Sequence, residues 1–281
     1  NGSVYVAWAS YLDNGPYHGW IASYDAATLN LNGVFNTTPN AGLGGIWMGG
    51  GRLTVDEDGA LYFEVGNGGF DGDNSTGVLT GLNPAGFPVK GDYGDSLLKV
   101  VVDTVHNSPT NQNINGWGLK VVDYFTTFNQ ASLNAADLDL GSAAPLLLPD
   151  EAGSAAHPHL IVASGKEGRI YLLDRDNLGK FPLDQATELT RIVQELPAAL
   201  HGSLDTAAYF DQQVYYVQGY GGVAQAFAIP NGSANNVATS IAVVTAPLPA
   251  PHIFILAPQV SSIAAATPEF STPPDRGPPH A

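Results

Sequence analysis

The sequence has no cysteine, one methionine and only 10 lysine and arginine residues among 281 residues. The missing cysteine excludes disulfide bonds, thiol catalysis and thiolate-ligated zinc. Because 26 aspartate and glutamate residues outnumber the basic ones, the formal net charge is −16. A chain with so few cations cannot neutralise many phosphates, so the composition argues against a nucleic-acid partner and against binding to an anionic membrane.

Long apolar runs are also missing from the sequence. No run approaches the roughly 20 residues that a transmembrane helix needs, so no membrane span is predicted. The chain opens on Asn1-Gly2-Ser3-Val4-Tyr5, with neither an initiator methionine nor a signal-peptide pattern. We therefore expect a mature or truncated fragment that begins inside a repeat.

Glycine and proline, in contrast, are abundant. The sequence has 33 glycine and 20 proline residues, and 44% of its residues are hydrophobic. This balance favours many short strands joined by tight turns over long helices, around a core of useful size.

The clearest structural unit spans residues 137–181, where three strand-like pulses occur at 143–148, 160–164 and 169–173. The first pulse is almost continuously apolar, which is typical of a strand covered on both faces. Gly165-Lys166-Glu167-Gly168 lies between the other two and predicts a hairpin turn. The unit therefore reads as most of one antiparallel blade.

The same pattern recurs along the chain. Further strands are predicted at 3–9, 18–24, 33–36, 52–55, 61–65, 96–101, 120–125, 190–196, 207–210, 214–218 and 224–229. Polar insertions at 66–93 and 103–118 lengthen the second unit. Because a four-stranded blade takes about 40–50 residues, we predict an all-β propeller of about four antiparallel four-stranded blades over residues 1–246. A β-sandwich is the alternative, but it would not repeat this turn and strand pattern.

The composition changes in residues 247–281, which are rich in proline and nearly free of charge. Proline removes the hydrogen-bond donors of a strand and favours extended chain, so we expect a disordered or non-native tail. Residues 252–257 are its one strand candidate, and would supply a first strand that the N-terminal blade lacks.

Three segments carry a resemblance to a known family. They are DLDLGSAAPLLL at 137–148 followed by GKEGRIYLLDR at 165–175, LYFEVGNG at 61–68 and GWIASYDAAT at 19–28. Over about residues 1–230 the sequence resembles the pyrroloquinoline-quinone (PQQ) dehydrogenase-like, or quinoprotein, propellers.

The resemblance implies roles for individual residues. Asn67 would be a calcium ligand, and Lys166 would be the cation beside the quinone oxygens. Asp92, or alternatively Asp95, would be the catalytic base that takes the alcohol proton. Trp47 would face the cofactor.

The sequence also departs from the family pattern. The acidic calcium ligand is expected near Asn14, which carries no charge, and Asp13 lies one position away. An arginine is expected where His18 stands, and the disulfide that often stacks on the quinone cannot form without cysteine. The family ring usually has seven or eight blades, so the resemblance implies either truncation or a partner chain that completes the ring.

Three functional hypotheses follow. The first is an oxidoreductase in the periplasm or outside the cell, using PQQ and Ca²⁺ to oxidise alcohols or sugars, as the resemblance implies. The second is a propeller without catalysis that acts as a binding or scaffold module. The third rests on Gly94-Asp95-Ser96-Leu97, which matches the GDSL esterase signature, with Ser96 as nucleophile. That signature normally lies at the start of an α/β domain, whereas here it opens a blade strand, so chance explains it better.

Other patterns suggest cation binding, each against a simpler structural reading. The loop at 71–77 offers hard oxygen ligands for Ca²⁺, but lacks the distal glutamate of the standard calcium loop. Asp137-Leu138-Asp139 would place two acids on one face, although such acids commonly punctuate propeller turns. His157-Pro158-His159 suggests a metal site or a surface loop.

Overall fold

The computed structural model describes residues 2–219, residues 224–229 and the backbone of residues 242–244. Within these ranges the strands are β1 (Ser3–Trp8), β2 (Trp20–Asp25), β3 (Leu31–Asn36), β4 (Thr54–Val55), β5 (Leu61–Glu64), β6 (Ser96–Val102), β7 (Gly116–Trp117), β8 (Leu119–Thr126), β9 (Leu146–Leu147), β10 (Leu160–Ser164), β11 (Ile170–Asp174), β12 (Gln194–Leu196), β13 (Ala208–Phe210), β14 (Gln213–Val217), β15 (Ala224–Ala228) and β16 (Ala242–Val244). The helices are α1 (Gln130–Ala136) and α2 (Gln185–Glu188), with short 3-10 turns at Tyr11–Asp13, Leu140–Ser142 and Asp150–Ala152.

The described strands form four antiparallel sheets of four strands each. Blade 1 has the order β1-β2-β3-β7 and blade 2 the order β4-β5-β6-β8, whereas blades 3 and 4 run in simple chain order from β9 to β12 and from β13 to β16. The all-β, propeller-type architecture with about four blades is therefore confirmed.

Consecutive blades pack face to face through three apolar clusters. Ile21 and Phe35 of blade 1 share a cluster with Phe63 of blade 2. The opposite face of blade 2 packs on blade 3, and the far face of blade 3 packs on blade 4, through Tyr62 with Tyr171 and through Leu172 with Phe227, among others. Burying one such side chain contributes about 1.5–3 kcal/mol, so this stacking is the main source of stability.

The fourth strand of blade 1 comes from an unexpected part of the chain. In the 103–118 segment, predicted as a loop insertion, β7 pairs Trp117 with Val34 and Gly116 with Phe35. The segment therefore joins blade 1 to blade 2. The strand at the opposite edge of blade 1 is β1. The strands that correspond to it in blades 2, 3 and 4 are β5, β10 and β14, and each of these is second in its sheet.

The strand predicted at 143–148 is wrong over most of its length, because only β9 pairs with β10. Pro145 lacks a donor for the ladder. The residues before it form the Leu140–Ser142 turn, where Gly141 lies directly against the backbone of Val65 and Gly66. This turn places Asp139 between the ends of two strands.

The predicted tail at 247–281, including the strand candidate at 252–257, lies outside the described residues. The division of the chain after residue 246 stays a prediction. Within the described ranges, none of the helices combines the length and apolar character needed to cross a membrane.

Candidate functional site

A cavity of about 430 Å³ opens where β5 and β10 end. This volume lies within the range of small-molecule sites. Its lining combines a tryptophan, an asparagine, a lysine and three aspartates with small and apolar residues: Asp13, Trp47, Gly49, Asn67, Asp137, Asp139, Ser142, Lys166 and Leu204.

Two glycines allow the cavity to form. A Cβ atom at Gly66, just after β5, would lie 2.7 Å from both Asp139 Oδ1 and Trp47 Cδ1. A Cβ atom at Gly165, just after β10, would collide with the backbone of Asp139 and Leu140. Only glycine therefore lets the 139–142 turn approach both strand ends, and this approach positions the residues that follow each glycine, Asn67 and Lys166.

The Lys166 ammonium is bound by two carboxylates. Its Nζ lies 2.5 Å from Asp139 Oδ2 and 3.1 Å from Asp137 Oδ2. The other oxygen of the nearly buried Asp139 side chain accepts a hydrogen bond from Asn67 N at 2.6 Å. Burial disfavours the ammonium, but the hydrogen bonds and negative charges of Asp139 and Asp137 outweigh it and raise the pKa of Lys166. The lysine is therefore held in its charged form.

Asp95 lies directly behind the lining, fully buried. Its backbone N–H donates to Gly66 O at 2.9 Å, and its carboxyl group accepts hydrogen bonds from Leu140 N at 3.1 Å and Gln130 Nε2 at 3.5 Å. Desolvation raises the pKa of Asp95 to about 8, and the nearby charge of Asp139 acts in the same direction. Such a group exchanges protons near neutral pH, as a general base requires.

Asp92 is not among the lining residues. Its carboxylate accepts hydrogen bonds from Asn40 N at 2.9 Å and Ala41 N at 3.1 Å, and so holds a loop. Burial raises the pKa of Asp92, although these hydrogen bonds oppose the shift. Of the two predicted bases, the structure brings Asp95 and not Asp92 next to the cavity. A catalytic role for either stays a prediction.

At the position of the expected acidic ligand, Asp13 lines the cavity and Asn14 does not. Tyr17 Oη donates a hydrogen bond to Asp13 Oδ1 at 2.5 Å, and the Tyr17 ring meets the Trp47 ring edge to face with centroids 5.9 Å apart. Asn14 instead closes the Tyr11–Asp13 turn through its backbone. Tyr17 thus contacts two lining residues at once.

The donor atoms do not fit calcium in this arrangement. Carboxylate and amide oxygens are suitable in kind, since Ca²⁺ takes 6–8 oxygen ligands. However, the described residues contain no group of three or more acidic or histidine side chains placed to hold a metal ion. Both oxygens of Asp139 are already bound, one to Lys166 and one to Asn67 N.

The same lining fits a planar quinone better. The Trp47 indole offers an aromatic surface, and Lys166 offers a positive charge for carbonyl or carboxylate oxygens. The Asn67 side chain, 8% exposed, lines the cavity and shows no hydrogen bond of its amide group within the described part of the chain.

The other predicted sites have structural roles in the described residues. Ser96 is buried, and its Oγ lies 2.6 Å from Thr126 Oγ1 and 3.2 Å from Gly94 O, so it is not placed as a nucleophile. His157 and His159 each bind an aspartate through Nδ1, at 2.8 and 2.9 Å. In the 71–77 loop, Asp73 Oδ1 accepts the Ser75 N–H at 2.8 Å, which closes a local turn.

Several residues of the site were missed in the sequence. The sequence suggested that Asp137 and Asp139 bind a cation or belong to a turn. It did not predict that both carboxylates bind Lys166. Gly66 and Gly165, which precede Asn67 and Lys166, each follow the second strand of a blade. This recurring glycine is a signal that the sequence offered. Leu204 and Tyr17 carry no such signal, because neither lies in a matched motif.

Four antiparallel blades stacked face to face define a propeller-type protein, with an acidic cavity of small-molecule size at the ends of β5 and β10.

Comparison with solved structures finds nine matching chains, among them two quinohemoprotein alcohol dehydrogenases. The enzyme from Pseudomonas putida HK5 matches with 18% identity and a TM-score of 0.43, covering 84% of this chain and 38% of that one. The enzyme from Comamonas testosteroni matches with 18% identity and a TM-score of 0.36, covering 64% and 26%. The chain spans little more than a third of the length of the first enzyme and about a quarter of the second. No protein-family model matches the sequence, and no curated protein is similar to it.

Proposed function

We propose that this cavity binds a quinone of the PQQ type and that the protein is an oxidoreductase acting on alcohols or sugars. The carrying observation is that Trp47, Asn67 and Lys166 line one cavity, although they come from three separate parts of the sequence. These are residues that the sequence resemblance assigns to the cofactor site. A periplasmic or extracellular location follows from the same resemblance.

Each residue has a distinct task in this proposal. A bound quinone supplies a two-electron acceptor. Lys166 places a permanent positive charge beside the electron-rich oxygens of the ligand, a preorganised charge that favours the reduced state. Trp47 gives the planar ligand a surface to stack on. No step is assigned to calcium, because the donor atoms do not fit it.

Asp95 is the proposed base for the substrate hydroxyl. Its backbone N–H donates to Gly66, the neighbour of Asn67, and its carboxyl group accepts from Leu140, the neighbour of Asp139. Asp95 therefore lies directly behind the lining residues. With a pKa of about 8, part of the Asp95 population is ionised at neutral pH and accepts a proton.

A second candidate function, a binding module without catalysis, is favoured by the charge of the lining. Asp13, Asp137 and Asp139 outnumber the single ammonium of Lys166 among these residues. An excess of carboxylates beside a tryptophan favours a small organic cation, because a cation is attracted both by the acids and by the indole face. PQQ itself is a tricarboxylate and gains no such attraction from the acids.

The test is a titration of the purified chain with PQQ, followed by tryptophan fluorescence and by reduction of an electron-accepting dye with a panel of alcohols and sugars. We expect saturable PQQ binding that Lys166→Met weakens by at least about tenfold. Lys90→Met, which removes a surface lysine away from the lining, serves as the control. Absence of PQQ binding, with or without Ca²⁺, together with saturable binding of an organic ammonium, would establish the second candidate instead.

A further inference from the structure

The ammonium of Lys166 is fixed at both ends of its side chain. At the backbone, Lys166 N donates to Asp139 O at 2.9 Å. At the tip, Nζ lies between the carboxylates of Asp139 and Asp137, at 2.5 and 3.1 Å. The 165–168 hairpin turn and the segment before the 140–142 turn therefore hold a positive charge at one defined place in the cavity.

A further oxygen donor lies beside this place. Asn67 is more than nine-tenths buried, and its side-chain amide has no hydrogen-bond partner within the described residues. Its backbone N–H donates to Asp139 Oδ1, and both residues line the cavity. Because Asn67 lines the cavity, its amide is available to a polar ligand there.

The charges explain why a cation is needed there. The Asp139 side chain is 5% exposed, whereas that of Asp137 is 61% exposed. Water screens the charge of Asp137 but hardly that of Asp139. Without Lys166, Asp139 would be a buried carboxylate with no counter-charge, a state that either binds a cation or takes up a proton.

We propose that the Lys166 ammonium occupies a cation position formed by Asp139, Asp137 and Asn67, and that it takes the place of a divalent metal. Ligands of the wild-type cavity therefore bind without a metal, and removal of the ammonium opens a Ca²⁺ site. Two carboxylates and an amide oxygen are hard donors of the kind that Ca²⁺ prefers, and water would complete its coordination. The inference concerns the cation chemistry of the cavity and does not rest on the quinone.

The experiment is calorimetric titration with Ca²⁺ of the wild type, Lys166→Met, and Lys166→Met combined with Asp139→Asn. We expect Lys166→Met to bind one additional Ca²⁺, at least about tenfold more tightly than any calcium binding of the wild type. The added Asp139→Asn change should abolish this gain. Lys90→Met measures calcium bound elsewhere on the acidic surface, and Lys166→Arg, which keeps the charge, should show no gain.

Trp47 provides an independent readout, because Tb³⁺ bound in the cavity would be excited through this indole. The sensitised emission should appear in Lys166→Met and disappear when Trp47→Phe is added. A folded Lys166→Met protein that gains neither calcium nor terbium binding would overturn the proposal. If Lys166→Met does not fold, Lys166→Gln is used in its place.

A comparison of the wild type with Asp139→Asn alone tests the proposal without the Lys166 variants. Calcium binding of the wild type that Asp139→Asn abolishes would show that the ammonium does not exclude the metal, and would overturn the proposal. Equal calcium binding of the wild type and Asp139→Asn supports it. A failure to bind PQQ leaves this outcome unchanged, so the two proposals are tested separately.

Discussion

At the residue scale, Asp95 is a carboxyl group beside the cavity whose environment suits proton transfer near neutral pH. Burial raises its pKa to about 8. If Asp95 is the base, only about a tenth of the molecules carry the ionised form at pH 7, and the rate rises as the pH rises through 8. Asp92 is held by backbone donors away from the cavity.

The pH dependence of dye reduction therefore tests Asp95. We expect kcat/KM of the PQQ-loaded protein to increase as the pH rises through about 8 and to level off about one pH unit above that value. Asp95→Asn should lower kcat by about 10²–10⁴-fold while PQQ binding is kept. Asp92→Asn is the matched control, and it should retain the pH profile. A profile that disappears in Asp92→Asn and survives in Asp95→Asn would exchange the two roles.

Glu64 is a second buried acid, placed on β5 away from the lining. Both of its carboxyl oxygens are buried without a hydrogen-bond partner in the part of the chain that the structure describes. Desolvation raises the pKa of Glu64 well above its usual value, so burial favours the protonated carboxyl group in the folded protein. In the unfolded chain it ionises near pH 4.3.

Glu64 should therefore make stability fall as the pH rises. Its contribution is complete below the unfolded pKa and is lost progressively as the pH rises towards the folded pKa, because only the unfolded chain releases the proton. Glu64→Gln removes this loss, so urea unfolding should show the variant to be more stable than the wild type at pH 8, with a smaller difference at pH 5. Glu151→Gln, at an exposed residue, is the control. Equal pH slopes for Glu64→Gln and the wild type would contradict this assignment.

At the element scale, the end of β5 is positioned by Gly66. A Cβ atom there would lie 2.7 Å from Trp47 Cδ1 and from Asp139 Oδ1, closer than side chains normally approach. Either the turn after Asp139 or the indole would have to move.

Gly66→Ala should accordingly lower the free energy of unfolding by about 1–3 kcal/mol and change the near-ultraviolet circular dichroism of the tryptophans. Gly42→Ala is the matched control, because a Cβ atom at Gly42 would meet no atom within 4 Å. Identical urea unfolding curves for Gly66→Ala and Gly42→Ala would show that the strand end is not constrained as described.

The 103–118 segment is the second element whose role depends on one residue. Asp103 is buried, and its carboxylate accepts hydrogen bonds from Val105 N at 3.0 Å, His106 N at 3.1 Å and Asn113 Nδ2 at 3.0 Å. Burial disfavours ionisation, but the hydrogen bonds of Asn113, His106 and Val105 outweigh it and lower the pKa of Asp103. This carboxylate holds the segment that supplies β7.

Asp103→Ala should destabilise the protein by about 2 kcal/mol at pH 7 and expose the segment to limited proteolysis before the rest of the chain. Because the folded pKa is lower than the unfolded one, the stabilisation is complete above the unfolded pKa of about 3.9 and is lost as the pH falls below it. The difference between variant and wild type should therefore narrow in acid. Asp58→Ala, in an exposed turn, is the control; a proteolysis pattern shared by both variants would refute the assignment.

At the scale of the whole molecule, the net charge of −16 acts against compaction. Like charges repel more strongly in the folded than in the unfolded chain, and salt screens that repulsion over about 10 Å at 0.1 M. We expect the midpoint of thermal unfolding to rise when NaCl is increased from about 10 to 200 mM. A midpoint that falls with NaCl would show that attractive ion pairs, such as Arg169 with Glu195, dominate instead.

The exposed outer face of blade 1 is relevant to the prediction that a partner chain completes the ring. Val4, Val6 and Trp8 point from β1 to the face away from blade 2 and are about half exposed. Completion of the ring by a partner chain stays a prediction.

Most of the blade strands were predictable, because alternating apolar pulses and glycine turns are local signals. The 160–164 and 169–173 predictions fall within a residue of β10 and β11. Two predictions failed for reasons of tertiary structure. Pro145 and the packing of Gly141 replaced the start of one strand by a turn, and the 103–118 segment, predicted as a loop, supplies a strand to blade 1.

By itself, the sequence determined the blade architecture, the absence of thiol chemistry and the acidic character, since these depend on composition and on patterns within one or two strands. Only the tertiary structure decided that Lys166 is bound by Asp139 and Asp137, that Asp95 and not Asp92 adjoins the cavity, and that Asp13 and not Asn14 lines it. These pairings join strand ends of different blades. They form only when the blades stack and two glycines allow the 139–142 turn to reach both ends.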